Sequence, residues 1–336
     1  MKTIVEKICK QMKNDRRSLA MIFVIPLVII TFLYILLGDN NAEVRVTLVG
    51  ASNEIVDFYE SADRISSVEC VDDIDEEESL TKESTDAVIN FTTNEVYLLE
   101  DNSVYFQIVE ESITNLYKDI MKTPPMKIKY IYGDNLSTNF EKLSYVLLGI
   151  ICFFLVFLIS GISFVRERTG GTLERFMLTP VRRSTVVTGY TVGFGIFGML
   201  QAIIILLFVR YVLGVEFKGN VIFAILIMIL LAFSAVSIGE FVSIFANSEF
   251  QLIQFIPLII IPQVFFSGVL PIEGLPAHID KLAYCMPIYY GCTGLKKILI
   301  DGLGFTATLP YISALLLFVI IFYVLNVLIL RKYRAI

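Results

Sequence analysis

The stretch that decides the fold is LSYVLLGIICFFLVFLISGISFV, residues 143–165. These 23 residues contain no charged side chain, and a helix rising about 1.5 Å per residue crosses a bilayer core of roughly 30 Å in about 20 residues. Comparable apolar runs occupy residues 19–37, 186–209, 221–246, 250–270 and 310–330. The whole chain is 56% hydrophobic and 18% charged, with a mean hydropathy of +0.72, which excludes an ordinary soluble protein. The sequence therefore predicts an α-helical polytopic membrane protein with six transmembrane helices.

Lysine and arginine predict how these helices are oriented, because cytoplasmic flanks of membrane helices are enriched in both residues. They cluster before the first run, between the second and third runs, and after the last run: Lys2, Lys7, Lys10, Lys13, Arg16, Arg17, Arg166, Arg168, Arg175, Arg182, Arg183, Arg331, Lys332 and Arg334. We therefore expect a multi-pass protein of the cell membrane with both termini cytoplasmic, the second ending in a tail over 331–336.

The segment 39–142 carries 8 basic and 23 acidic side chains and lies on the opposite side in this topology. Alternating apolar residues at 44–48, 87–91, 96–99 and 127–132 predict strands, and 105–122 has helical periodicity. We expect a small α/β extracytoplasmic domain. Its acidic run at 72–78 lacks the turn glycine of a calcium loop and indicates a solvated loop. An acidic balance of this kind also argues against a nucleic-acid partner.

The segment 1–18 has its own pattern, in which Ile4, Ile8 and Met12 recur every four residues with lysines on the other face. This periodicity predicts an amphipathic interfacial helix on the inner membrane surface. The alternative is a basic tail that serves only to orient the first span.

The predicted cytoplasmic loop 166–183 reads RERTGGTLERFMLTPVRR. Gly170 and Gly171 are expected to end one helix, and Thr172 to cap a helix of one to two turns before Pro180. Leu173, Phe176 and Met177 share one face of that short helix. Such an apolar surface, held between two spans, suits binding to a soluble partner. The alternative is that the three side chains dip into the lipid interface.

A second block accompanies this loop, FSGVLPIEGLP at 266–276 followed by YCMPIYY at 284–290. With the six-span layout, the two blocks resemble the permease subunits of the type-2 ABC exporter family. The resemblance implies that 1–18 is a connecting helix, that 166–183 is a coupling-helix loop, and that 271–295 is a re-entrant outer segment within the four-span part 186–330. The residues implied for coupling to the ATPase are Glu167, Arg168, Gly170, Gly171, Thr172, Leu173, Glu174, Arg175, Phe176, Met177 and Pro180. Those implied for the outer segment are Gly268, Pro271, Pro276 and Pro287.

The resemblance also implies the partners of this chain. No GxxxxGK[ST] phosphate loop occurs in the sequence, so we expect a transport subunit without catalytic residues or a cofactor of its own. ATP and Mg²⁺ would bind to a separate ABC ATPase subunit, and a second copy or a similar permease would complete the membrane assembly.

Glu240 is the one acidic residue well inside a predicted span, with Ser237 and Ser243 near it on the same helical face. Polar groups in a span are expected to face protein or water. They predict either a polar lining of the transport path or an interhelical hydrogen-bonded contact. His278 is the only histidine and has no second ligand nearby, so no metal site is predicted.

Three classes of membrane protein could account for six spans and a segment outside the membrane. An exporter permease explains both the six spans and the coupling-type loop, and its path would suit a hydrophobic or amphipathic drug, peptide or lipid. The alternative is a membrane receptor or sensor with an extracytoplasmic ligand-binding domain, for which six spans are more than is needed. An ion-coupled transporter would show internal repeats and several midplane charges, and neither is found.

Overall fold

The computed structural model describes most of the chain, and it divides into two compact units. One unit comprises Met1–Leu36 with Asn139–Ile336, and the other comprises Leu37–Thr138. The residues described are 1–38, 44–62, 64–71, 85–91, 95–98, 103–119, 139–269 and 276–330.

Most of the described residues are helical, and four short strands occur between residues 44 and 98. In chain order the elements are α1 (Lys2–Asn14), α2 (Arg16–Gly38), β1 (Val44–Val49), α3 (Asn53–Glu60), β2 (Ile65–Val71), β3 (Ala87–Asn90), β4 (Glu95–Leu98), α4 (Ser103–Asp119), α5 (Asn139–Thr169), α6 (Thr172–Met177), α7 (Arg183–Tyr211), α8 (Val221–Ser243), α9 (Glu249–Val264), α10 (Pro287–Leu299) and α11 (Phe305–Ile329). A π-helical turn, Phe265–Val269, continues α9, and a 3-10 helix, Pro276–Cys285, precedes α10.

The six predicted spans are confirmed as helices long and apolar enough to cross a membrane. They are Ser18–Leu37, Leu143–Thr169, Arg183–Tyr211, Val221–Ser243, Glu249–Val269 and Phe305–Ile329. The last span begins five residues before the predicted start at Pro310, which lies inside α11. The fourth ends at Ser243 instead of 246, because the chain turns before α9 begins at Glu249.

The helical unit is built around α5, the most enclosed of its six long helices. α8 packs on α5, α7 and α11, and α10 packs on α5, α8 and α11. A Cβ atom added at Gly239 would lie 2.8 Å from the carbonyl oxygen of Phe157, so glycine is what allows α8 to approach the α5 backbone. Close approach at small residues is the usual way in which membrane helices associate.

α1 confirms the predicted helical periodicity but places its apolar face on protein. Ile4, Ile8 and Met12 are almost fully buried, and α1 packs along α7. Ile4 lies against Gly189, and Ile8 lies against Gly193. The face that was expected to lie on lipid is therefore covered by α7, because two glycines four residues apart leave room for the isoleucines.

The outer segment is described from Pro276 onward, and Pro271 lies outside the described residues. Gly268 has φ 98°, a left-handed conformation that favours glycine, and Pro287 begins α10. The 13 residues of α10 are too few for a full span, which needs about 20. The re-entrant arrangement stays a prediction. A helix too short to cross the membrane, such as α10, is what that arrangement requires.

The second unit contains a sheet of four strands in the order β2-β1-β3-β4. β1 pairs in parallel with β2 and β3, and β4 is antiparallel to β3. The predicted strands at 44–48, 87–91 and 96–99 and the predicted helix near 105–122 are confirmed as β1, β3, β4 and α4. β2 was missed because Ile65, Val68 and Val71 recur every three residues and so do not show the alternation of a strand. The predicted strand 127–132 and the acidic run 72–78 lie outside the described residues.

One ion pair holds the starts of β1 and β3 together. Asp86 accepts hydrogen bonds from the backbone N–H of Arg45 at 3.0 Å and from its guanidinium at 2.9 and 3.0 Å. These bonds hold the pKa of the Asp86 carboxyl below its ordinary value. The buried core of this unit includes Val44, Val46 and Leu48 of β1. The alternating apolar residues in the sequence at 44–48 are therefore the ones that β1 buries.

Candidate functional site

The short helix predicted between the second and third spans is α6, six residues long. Its N-cap is Gly171 in a left-handed conformation (φ 71°), without a side-chain cap, and Thr172 is the first helical residue. The predicted capping role of Thr172 is therefore wrong. Gly171 reverses the chain at this point, and the backbone N–H of Gly170 donates to the carbonyl of Arg166 at 2.9 Å to end α5.

The apolar residues of this loop point in different directions. Leu173 is buried, with 3% exposure, and Phe176 and Met177 are partly buried. Leu178, immediately after α6, is 85% exposed, and Val181 is also exposed. Sequence reasoning missed Leu178 because it considered only the residues on one face of the short predicted helix, the last of which is Met177. The predicted apolar face of Leu173, Phe176 and Met177 is thus buried or partly buried, and the exposed leucine of the loop is Leu178.

The remaining predicted residues of the loop lie around this exposed leucine. Glu174, Arg175 and Pro180 are exposed. The Thr179 hydroxyl donates to the carbonyl of Phe176 at 2.6 Å, so the chain beyond α6 is held in a tight turn. Leu178 therefore lies just before a tight turn, in a loop whose residues Glu174, Arg175 and Pro180 are also exposed.

Glu167, at the end of α5, is a buried carboxylate, with 4% exposure. It forms an ion pair with Lys7 of α1 and accepts a hydrogen bond from the Tyr190 hydroxyl of α7 at 2.9 Å. The Lys7 ammonium also lies 5.4 Å from the centre of the Phe176 ring of α6. One carboxylate therefore links α1, α5 and α7, and its cationic partner reaches α6.

The arginines on either side of Glu167 contact other helices. Arg166 donates to both carboxylate oxygens of Glu249 at the start of α9, at 2.7 and 3.0 Å. Arg168 donates to the carbonyl of Ser243 at 2.9 Å and to those of Ile244 and Ala246, where α8 has just ended. We call Arg166, Glu167 and Arg168 the RER cluster. Three consecutive side chains of α5 thus reach three different parts of the helical unit.

The polar residues predicted inside the fourth span are brought together and enclosed. Ser237, Glu240 and Ser243 are each at most 1% exposed. Glu240 accepts a hydrogen bond from the Thr191 hydroxyl of α7 at 2.8 Å, and the Asn326 amide of α11 donates to the carbonyl of Ser237 at 2.9 Å. These are interhelical contacts, and the path role of the three residues stays a prediction.

Gln201 of α7 is a polar residue that sequence reasoning passed over. It is fully buried, and its amide has no hydrogen-bond partner among the described protein atoms. It lines a small cavity between α1, α2, α5 and α7, together with Met12, Ile22, Ser160 and Phe194. A single uncharged amide does not interrupt an apolar run, and only packing reveals that this one is enclosed.

The model of the ABC-2 family transporter proteins matches residues 16–328, which is nearly the whole chain and both units. The chain belongs to the ABC-2 transporter family. The match of this ABC-2 family member includes α6, the RER cluster and the polar face of α8, whereas α1 with Lys7 and Met12 precedes it.

Individual relatives have low sequence identity to this chain and match only part of it. ABC transporter G family member 20 of Dictyostelium discoideum is 25% identical over 222 residues, which are 65% of this chain and 30% of that protein. The inner membrane transport permease YhhJ of Escherichia coli (strain K12) is 27% identical over 48% of this chain and 44% of its own. The linearmycin resistance permease protein LnrN of Bacillus subtilis (strain 168) is 26% identical over 46% and 40%. The matched part of this chain spans less than half the length of each relative.

Proposed function

We propose that this ABC-2 family member is the permease subunit of an ABC-type exporter and that ATP hydrolysis on a separate subunit drives it. Membership of the family supports the class, as do relatives named as transport permeases. The observation that carries the proposal is Leu178, an apolar side chain 85% exposed on a loop held between two spans. An exposed leucine in a fixed position is suited to a pocket on a soluble partner.

The proposed topology has both termini, α6 and the RER cluster in the cytoplasm, and the sheet unit outside the cell membrane. The positive-inside rule supports it, because arginine and lysine cluster in the segments before α2 and around α6. A second copy of this chain, or a similar permease, would complete the assembly. The exposed apolar faces of α2 and α11 are free to meet lipid or that second permease.

The proposed cargo is a hydrophobic or amphipathic molecule such as a drug, peptide or lipid. Support comes from the spans, which hold few charged groups, and from one relative named as a linearmycin resistance permease. A path for inorganic ions would instead require several charged or coordinating groups at midplane depth.

The test is co-purification of the chain with the ABC ATPase of its host, using Leu178→Asp. We expect this variant to lose most of the bound ATPase, since charging a central apolar contact typically costs about 2 kcal/mol or more of binding free energy. Val96→Asp is the matched control, because Val96 is also an exposed apolar residue, at 43%, but lies on β4.

The expected result is ATPase bound to the parent chain and to Val96→Asp but not to Leu178→Asp, at equal permease levels in the membrane. If the parent chain bound no ABC ATPase, the exporter proposal would be wrong and a receptor or sensor would become the better explanation. If Leu178→Asp bound as much ATPase as the parent, the docking role of Leu178 would be wrong.

A further inference from the structure

We infer that Glu167 and Arg168 are positioning residues that join α1, α5, α6 and the end of α8 into one body, so that a displacement of α6 is delivered directly to α8. This inference rests on the proposed function, in which the ATPase displaces α6. Glu167 and Arg168 thereby keep transport coupled to ATP hydrolysis.

Arg168 supplies the link to α8. The last carbonyl groups of a helix have no partner within the helix, and a planar guanidinium can donate to several of them at once. Arg168 of α5 donates to the carbonyls of Ser243, Ile244 and Ala246. If α8 moved away from α5 at this end, these carbonyls would lose their hydrogen bonds from Arg168. The bonds therefore favour joint movement of the two helices.

Glu167 supplies the link to α1, and through Lys7 to α6. Its carboxylate is 4% exposed and is compensated by the Lys7 ammonium and the Tyr190 hydroxyl. The Lys7 side chain is 32% exposed, so the cost of separating the pair lies with Glu167, whose buried carboxylate would lose its cation. The Lys7 side chain also lies over the Phe176 ring. α1 and α6 are therefore held against the end of α5 throughout a movement.

Through its contacts with other spans, α8 can pass on a displacement that it receives from Arg168. It packs on α5, α7 and α11, and it carries Glu240 at the contact with Thr191. A body that includes α6 and the end of α8 converts a displacement of the loop into a shift of α8 against α11. Without the link, α6 could move while α8 stayed in place, and ATP would be hydrolysed without transport.

The neighbouring Arg166 provides a matched control within the same cluster. Arg166 forms ion pairs with Glu249 at 2.7 Å and with Asp15 at 3.6 Å, and the three side chains are 48%, 43% and 34% exposed. Exposed pairs contribute little because solvent screens them. Arg166→Gln and Arg168→Gln therefore remove the same group two residues apart, and only the second removes a link that we assign to coupling.

The experiment reconstitutes the permease with its ATPase in vesicles and measures both cargo export and ATP hydrolysis. We expect Arg168→Gln and Glu167→Gln to bind the ATPase normally and to hydrolyse ATP, but to export about fivefold less cargo or worse for each ATP consumed. Arg166→Gln should keep the parent ratio. Arg168→Lys, which keeps the charge but not the planar fork, should lie between Arg168→Gln and the parent.

A covalent bond in place of the ion pair tests the same link in the opposite direction. Lys7→Cys and Glu167→Cys are combined in a chain whose five native cysteines are replaced. We expect this variant to be uncoupled, to recover its ratio of export to hydrolysis when a short thiol cross-linker joins the two cysteines, and to lose it again on reduction. Recovery would not follow from a merely local loss of stability.

Three results would overturn the inference. The first is an unchanged export ratio in both Arg168→Gln and Glu167→Gln. The second is a loss of ATPase binding by these variants, since the residues would then serve docking and not coupling. The third is inhibition by the cross-link, which would mean that α1 must separate from α5 during transport. In each case the parent chain still exports cargo with its ATPase, so the proposed function survives. A parent chain without ATPase-driven export would overturn both proposals.

Discussion

At the scale of single residues, two buried carboxylates are compensated in different ways. Glu167 has a lysine and a tyrosine hydroxyl as partners, whereas Glu240 has one hydrogen bond, from Thr191, among the described residues. A carboxylate transferred from water into an apolar interior is strongly unfavourable unless it is paired or neutral. The hydroxyl of Thr191 is thus the one described side-chain donor that compensates the buried carboxyl of Glu240.

We predict that Thr191→Val lowers the free energy of unfolding by about 1–3 kcal/mol, because it leaves a buried acceptor without its donor. Glu240→Gln should keep the parent stability, since the Gln carbonyl can accept the same bond. Thermal unfolding of the purified protein measures both. From the enclosed position of Glu240 we further expect Glu240→Gln to export cargo at the parent rate. A clear loss of export at unchanged stability would instead support the path role of Ser237, Glu240 and Ser243.

At the scale of elements, the contact between α1 and α7 depends on the fit of side chains into glycine positions. A Cβ atom at Gly193 would lie 2.6 Å from Cδ1 and 3.1 Å from Cβ of Ile8. One at Gly189 would lie 2.8 Å from Cγ2 of Ile4. The apolar stripe of α1 is thus matched to the glycines of α7, and the match holds Lys7 next to Glu167.

We predict that Gly193→Ala destabilises the protein by about 1–3 kcal/mol through overpacking, and that adding Ile8→Ala restores part of the loss by making room for the new methyl group. The midpoint of thermal unfolding measures the effect. Gly304→Ala is the control, because no atom lies within 4 Å of a Cβ at Gly304 and its φ is negative. A Gly193→Ala protein as stable as the control would show that the α1 contact is looser than the structure indicates.

At the scale of the whole molecule, charge separates the chain into two parts. The segment 39–142, which includes β1 to β4, has 23 acidic and 8 basic residues, whereas basic residues cluster before α2 and around α6. This contrast supports the proposed topology, since basic flanks are retained in the cytoplasm.

Two native cysteines can test that topology. Cys70 is exposed on β2 of the sheet unit, and Cys9 lies on α1. We predict that a membrane-impermeant maleimide labels a chain with Cys70 as its only cysteine in intact cells. A chain with Cys9 alone should be labelled only after the membrane is permeabilised. Labelling with the reverse sidedness would contradict the orientation and, with it, access of Leu178 to a cytoplasmic ATPase.

The sequence by itself determined the class of the protein, its six spans, the sheet of the second unit and the short helix of the loop. These follow from hydrophobic runs, alternation and glycine positions, which are local properties of the chain. It also marked Glu240 as unusual, because a charge inside an apolar run is visible without any structure. The edge strand β2 was missed because its apolar residues recur every three residues instead of every two.

Only the tertiary structure decided which partners these residues have. It covered the apolar face of α1 with α7 instead of lipid, turned Leu173 inward and Leu178 outward, and enclosed Gln201. It also brought Glu167 to Lys7, 160 residues away in the chain, and Arg168 to the end of α8. The physical reason is that periodicity shows which side of a helix is apolar, whereas burial and pairing depend on which distant element packs there.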